Sequence, residues 1–134
     1  MCETVAEHMP TAAEVAASKW LTDEDVDVFA TEYARTGFQG ALNNYRRNAD
    51  AKMRDELQAF SGRTIDVLSC FIAGISDWGV YQTPGAVDTM RNKVCAKMVG
   101  FHLIEGAGHW VQQERPEEVS KFLLQFLQQA RAAH

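Results

Sequence analysis

The sequence predicts an α/β fold, and three observations carry that prediction. Ile65, Val67, Leu68, Cys70, Phe71 and Ile72 form a β-prone run with few polar interruptions, as expected of a parallel strand covered on both faces. A second apolar run extends from Val99 to Ile104, and between the two Ala86, Val87 and Met90 supply an inward helical stripe. After the second run, Val119, Phe122, Leu123, Phe126, Leu127 and Ala130 recur at intervals of three and four, an amphipathic helical face that should pack on the sheet. Strand, helix, strand in this order implies a right-handed crossover and parallel pairing.

The elements follow in chain order. Residues 1–20 are small and polar, with Pro10 and repeated Ala, and read as an arm or a short helix. At Thr22-Asp23-Glu24-Asp25 a capping-box pattern opens a helix, its three acids facing the positive end of the helix dipole. Val26, Phe29, Ala30 and Tyr33 line one face of that helix and Gly37 ends it. Phe38 to Arg47 and Ala51 to Phe60 read as two further short helices, with Leu42 and Tyr45, then Met53, Leu57 and Phe60, as their apolar positions. After Ser61-Gly62 comes the first strand. Thr83-Pro84 offers a cap followed by proline at the first helical position, and Pro116-Glu117-Glu118 starts the last helix. Two parallel strands leave two unpaired edges, so the chain reads as part of a larger sheet.

At 134 residues, 46% hydrophobic and 23% charged, the composition is that of an ordinary globular domain. A formal net charge of −5, with thirteen Lys and Arg scattered rather than striped, argues against nucleic acid as a partner. Cys2, Cys70 and Cys95 are odd in number and not closely paired, which fits a reducing, cytoplasmic setting better than a disulfide framework. Neither a secretory leader nor an apolar stretch long enough to span a membrane is evident.

The chemistry concentrates at two positions. Ile104-Glu105-Gly106-Ala107-Gly108-His109-Trp110 sets a histidine on a glycine-softened turn just past an apolar run, where a general base is well mounted. Thirty-two positions earlier, Gly74-Ile75-Ser76-Asp77 places a carboxylate just past the first strand. Ligands of open α/β sheets bind beyond the carboxyl ends of the strands, so Asp77 and His109 should share one rim. A carboxylate accepting the imidazole Nδ1–H would fix the tautomer and stabilise the imidazolium formed when Nε2 takes a proton. Trp78 and Trp110 directly follow the acid and the base, and read either as packing or as walls of an apolar substrate pocket. Glu114, Arg115, Glu117 and Glu118 read as a solvated helix entrance. Ser69 and Ser76 lack elbow glycines and make poor nucleophiles. Cys95, His102 and His109 have no recognised metal spacing, and no cofactor is expected.

Gly74-Ile75-Ser76-Asp77, Gly106-Ala107-Gly108-His109-Trp110 and Gln113-Glu114-Arg115-Pro116-Glu117-Glu118-Val119, with the apolar helix through Phe126-Leu127, resemble the last two core strands and terminal helix of an α/β hydrolase. More narrowly they resemble the epoxide hydrolase and haloalkane dehalogenase branch, from about Trp20 to Gln128. Arg35-Thr36-Gly37-Phe38-Gln39-Gly40-Ala41-Leu42-Asn43-Asn44-Tyr45-Arg46 is similar to the lid-helix motif carrying a tyrosine that polarises the epoxide oxygen. The resemblance thus implies an amino-terminal arm over 1–20, part of a helical lid over 21–60 and the carboxyl-terminal part of the hydrolase core over 61–134.

The resemblance also implies a mechanism: an aspartate opens the epoxide to an ester, and water hydrolyses the ester with His109 and Asp77 as the base and its acid. Tyr45 is then the ring-opening acid, because a phenol stays protonated at neutral pH yet donates well to a developing alkoxide. The family's nucleophile elbow, oxyanion segment and second lid tyrosine find no match in the sequence, and Asn44 stands where members often have tryptophan. The expectation is therefore a carboxyl-terminal fragment with little turnover alone. Two alternatives remain: a dehalogenase of the same branch acting on a haloalkane-like substrate, and a non-catalytic chain that self-associates or is completed by an amino-terminal half.

Overall fold

The computed structural model describes residues 9–133, apart from the side chains of Asn48, Met53, Arg54 and Leu57. The first eight residues of the arm expected over 1–20, and the side chains of the expected apolar positions Met53 and Leu57, lie outside that description. The chain divides into two compact units, residues 1–54 and 55–134.

The first unit is helical. Helix α1, Ala12–Ala17, is opened by a capping box between Thr11 and Glu14, and α2, Asp23–Thr36, by the box expected between Thr22 and Asp25. In each box the threonine hydroxyl accepts the third residue's N–H at 3.2 Å while the acid accepts the threonine's own N–H. Those bonds hold the Glu14 and Asp25 carboxyls below the usual carboxylate range. Gly37 ends α2 at φ 70°, and its N–H donates to the Tyr33 carbonyl. The Tyr33 ring then stacks on Phe38, with centroids 4.3 Å apart. Helix α3 covers Gln39–Ala49, and α4, Ala51–Leu57, runs across residue 54 into the second unit, where a 3-10 turn follows at Gln58–Phe60.

The second unit holds the sheet. Strands β1, Ile65–Gly74, and β2, Cys95–Ile104, pair in parallel from Ile65 opposite Cys95 to Gly74 opposite Ile104, forming a two-stranded sheet among the described residues. β2 begins four residues before the apolar run that announced it, because the polar Lys97 can face outward in a strand without breaking the pairing. β1 is not covered on both faces over its whole length: Ile65 and Val67 are exposed, and cover improves only toward its carboxyl end.

The crossover also departs from expectation. Thr83 does not cap a helix with Pro84 in its first turn. Gly85 takes φ 76° and ψ −3°, and the Ala86 N–H donates to the Thr83 carbonyl at 3.1 Å, which is a type II turn with proline and glycine at its two centre positions. The helical path is split in consequence into α5, Trp78–Tyr81, and α6, Ala86–Thr89, followed by a π-helical turn at Met90–Val94.

Helix α7, Val111–Glu114, and helix α8, Pro116–Ala132, complete the unit, with Pro116 in the first turn of α8 as expected. Val119 of α8 joins Ile104, Ala107 and Val111 in the buried core, with Ile72 and Phe122 packed against it. His102 of β2 lies flat on Phe122, centroids 3.7 Å apart. Only part of the expected α8 face is used: Leu123 and Leu127 remain exposed. On the opposite sheet face Phe71 stacks on Phe101, over which the Arg91 guanidinium sits 4.6 Å from the ring centroid.

The carboxyl ends of the strands approach the following loop too closely for a side chain. A Cβ on Gly74 would stand 2.3 Å from the carbonyl oxygens of both Ala107 and Gly108. Gly74→Ala should therefore cost roughly 1–3 kcal/mol by overpacking against backbone that cannot rotate away. Gly100→Ala should cost less, because its Cβ would meet the Cys70 Sγ and His102 Nε2 side-chain atoms, which can move. Urea unfolding followed by circular dichroism measures both, and equal costs would contradict this ranking.

Candidate active site

The site is built at the two strand ends. Past Gly74 the Ile75 N–H donates to the Ile104 carbonyl at 2.9 Å and the Ser76 N–H to the Ala107 carbonyl at 3.0 Å. These bonds tie the loop after β1 to the end of β2 and to the loop that follows it. Ala107 is the most deeply buried of the core residues, 1% exposed, so its loop is anchored by packing as well. Gly106 turns the loop at φ 66°.

Asp77 and His109 meet on this rim: the His109 Nδ1 lies 3.1 Å from the Asp77 Oδ1. With Nδ1 donating, the neutral ring keeps its Nε2 lone pair available to take a proton. The Asp77 side chain is 14% exposed and that of His109 53% exposed, so the carboxylate is shielded while the imidazole is open to solvent. The same Oδ1 accepts the Gly79 N–H at 2.8 Å, capping α5. One oxygen of Asp77 thus both caps the turn into α5 and pairs with the imidazole. The backbone bond from Gly79 is the main cause that holds the Asp77 carboxyl below the usual range. Partial desolvation opposes it, and the His109 hydrogen bond and charge add to it. Tyr81 closes the turn, its hydroxyl donating to the Ile75 carbonyl at 2.9 Å.

The two tryptophans enclose the imidazole. Trp78 stacks on it with centroids 5.9 Å apart and planes inclined by 26°, while Trp110 meets it edge-on at 5.4 Å and 77°. Both remain substantially exposed, at 62% and 49%, and so present apolar surface beside the imidazole. Tyr45 belongs to the first unit, on α3, where its side chain is 71% exposed. Beside it, Arg47 donates to the Asn44 Oδ1 at 2.9 Å, placing a polar pair where a tryptophan was noted as usual.

Sequence reasoning missed Glu114. Its Oε2 accepts the Gly108 N–H at 2.7 Å and its Oε1 the Trp110 N–H at 3.0 Å, one on each side of His109. The available signal was its place five residues after the histidine, which a short helical turn brings back over the loop. Cys70 is partly buried, and desolvation pushes its thiol up, away from the reactive thiolate.

Comparison with known proteins adds the family. Epoxide hydrolase A of Mycobacterium tuberculosis is 40% identical over 124 residues, which cover 90% of this chain and 35% of that protein. Epoxide hydrolase 1 of Siraitia grosvenorii is 37% identical over 88% of this chain and 38% of its own length. The structure of potato (Solanum tuberosum) epoxide hydrolase I superposes with a TM-score of 0.75 at 38% identity, covering 92% of this chain and 39% of that one. The chain corresponds to the carboxyl-terminal part of an epoxide hydrolase-like α/β hydrolase. The epoxide hydrolase A structure from Mycobacterium thermoresistibile agrees, with a TM-score of 0.70 and 39% identity over 82% of this chain and 33% of that one. No family model matches the chain. It spans little more than a third of the length of these epoxide hydrolases. Among the described residues no helix is long and apolar enough to cross a membrane.

The depressed Asp77 carboxyl has a testable sign. An acid whose folded pKa lies below its unfolded value, about 3.9 for Asp, adds stability that is complete above that value and lost as pH falls through the folded pKa. The stability gap between the native chain and Asp77→Asn should therefore shrink as the solution is acidified through the carboxylate range, where the Asp77 charge that both Gly79 and His109 favour is lost. Urea midpoints across that range measure it, and a gap that grows as the carboxylate is protonated contradicts the assignment.

Proposed function

We propose that His109 and Asp77 are the general base and its orienting acid in the hydrolysis of a small apolar epoxide to a diol, with Tyr45 as the acid that assists ring opening. The observation that carries this reading is the 3.1 Å pairing of His109 Nδ1 with an Asp77 oxygen on the strand-end rim, in a chain similar to proteins named epoxide hydrolases. In the first step an aspartate carboxylate attacks an epoxide carbon, the ring C–O bond breaks, and the alkoxide takes the Tyr45 proton. In the second, water attacks the ester carbonyl and gives its proton to His109 Nε2 while Asp77 stabilises the imidazolium; the acyl–oxygen bond of the ester breaks to release the diol and the aspartate carboxylate, and the imidazolium proton returns through solvent to the Tyr45 phenolate. Trp78 and Trp110 are the proposed apolar walls beside the base.

On this reading residues 21–60 form part of a lid, residues 61–134 the end of the hydrolase core, and the covalent nucleophile is contributed from outside the 134 residues. The open edges of the two-stranded sheet support completion by a nucleophile-bearing polypeptide. The free thiols of Cys70 and Cys95 support a cytoplasmic setting, and the net negative charge supports the absence of a nucleic-acid partner.

Diol formation from a small aryl epoxide is the test. The purified chain alone should give no diol above the uncatalysed rate. Mixed with the part of the M. tuberculosis epoxide hydrolase A that it does not cover, it should restore turnover. Either His109→Gln or Tyr45→Phe in that mixture should then lower the rate by roughly 10²–10⁴, as expected for loss of a proton-transfer group. Restored turnover indifferent to His109→Gln sinks the acid–base reading, and restored turnover with halide release but indifference to Tyr45→Phe favours a dehalogenase. A mixture that stays inactive removes the completion part.

A further inference from the structure

We propose that Glu114 is a positioning residue for His109, its carboxylate holding the backbone on both sides of the base so that the imidazole is presented in one orientation. The proposal rests on the reading of His109 as the base and extends it to a residue outside the acid–base pair.

The geometry is specific to a carboxylate. The Gly108 N–H and the Trp110 N–H flank His109 in sequence, and each is accepted by a different oxygen of Glu114, at 2.7 and 3.0 Å. A glutamine offers one acceptor oxygen, and its amide nitrogen would face an N–H, so it can serve only one of the two. An aspartate is one methylene shorter. Bonds from N–H groups to an ionised carboxylate are stronger than those between neutral partners.

The clamp has a firm base. Glu114 closes helix α7, whose first residue, Val111, is buried with Ala107, Ile104 and Val119. The N–H groups of Gln113 and Glu114 both donate to the Trp110 carbonyl, at 2.8 and 2.9 Å, so both polar backbone groups of Trp110 are tied to α7. The neighbouring cation is engaged elsewhere: Arg115 Nε reaches the Glu105 carbonyl at 3.4 Å and Glu118 at 3.8 Å. His109 is thus held at Nδ1 by Asp77 and through its two flanking amides by Glu114, which leaves Nε2 as its outward-facing nitrogen.

The test is nuclear magnetic resonance on the ¹⁵N-labelled 134-residue chain and its Glu114→Ala and Glu114→Gln variants. In Glu114→Ala, amide exchange at Gly108 and Trp110 should accelerate at least roughly tenfold, the range expected for losing a charge-assisted hydrogen bond. The Overhauser contacts between the His109 and Trp78 rings should weaken with it. Glu114→Gln should protect one of the two amides and release the other. Exchange at Ile72 and Ala73 in β1 should not change. Three results overturn the proposal: ring contacts unchanged in Glu114→Ala, which would make Glu114 a turn cap only; β1 amides released together with the loop, which would make it a general stability residue; and both amides equally protected in every variant. A native imidazole without a bonded Nδ1–H signal would instead count against the acid–base reading, leaving the amide and ring-contact results to stand separately.

Discussion

The close passage of the loop after β2 over Gly74 is the constraint on which the rest of the second unit depends. Backbone lies on backbone there, with room for hydrogen and nothing larger. Because the loop is that close, Ser76 can reach the Ala107 carbonyl, Ala107 can enter the core, and Asp77 and His109, thirty-two residues apart, come within one hydrogen bond. Core packing and site geometry are here the same set of contacts. A shift of the loop by the width of a methyl group would carry the imidazole beyond hydrogen-bonding distance from its acid.

Electrostatically, the rim divides its work between two carboxylates. Asp77 binds a side chain and one amide through a single oxygen, and Glu114 binds two amides through separate oxygens. One governs the tautomer of the imidazole and the other the path of the chain on either side of it. Both face N–H donors already fixed by strand ends or short helices, so little backbone freedom is lost in forming these bonds.

Much of this was legible in the sequence because it is encoded in short-range pattern. Thr22 with Asp25, Gly37, Pro116 and the apolar runs before Gly74 and Glu105 each specify local structure through hydrogen-bonding capacity, backbone freedom or periodicity. The pairing of Asp77 with His109 was readable because parallel strands put their carboxyl ends on one rim. What was not readable depends on three-dimensional proximity. Glu114 resembles any acid near a helix start until the loop folds back beneath it. Thr83-Pro84 resembles a helix start, and Gly85 alone decides for a turn. The exposure of Ile65, Val67, Leu123 and Leu127 has a different cause: apolar pattern records what a segment can bury, while the described residues supply cover only near the strand ends.

The two indoles around His109 have an optical consequence. A charged imidazolium withdraws electron density from an excited indole far more effectively than the neutral ring does, and Trp78 and Trp110 have ring centroids 5.9 and 5.4 Å from this one. The emission of the native chain should therefore darken as the histidine gains its proton and brighten as it loses it. The imidazole thus has a built-in optical indicator, which needs no attached dye.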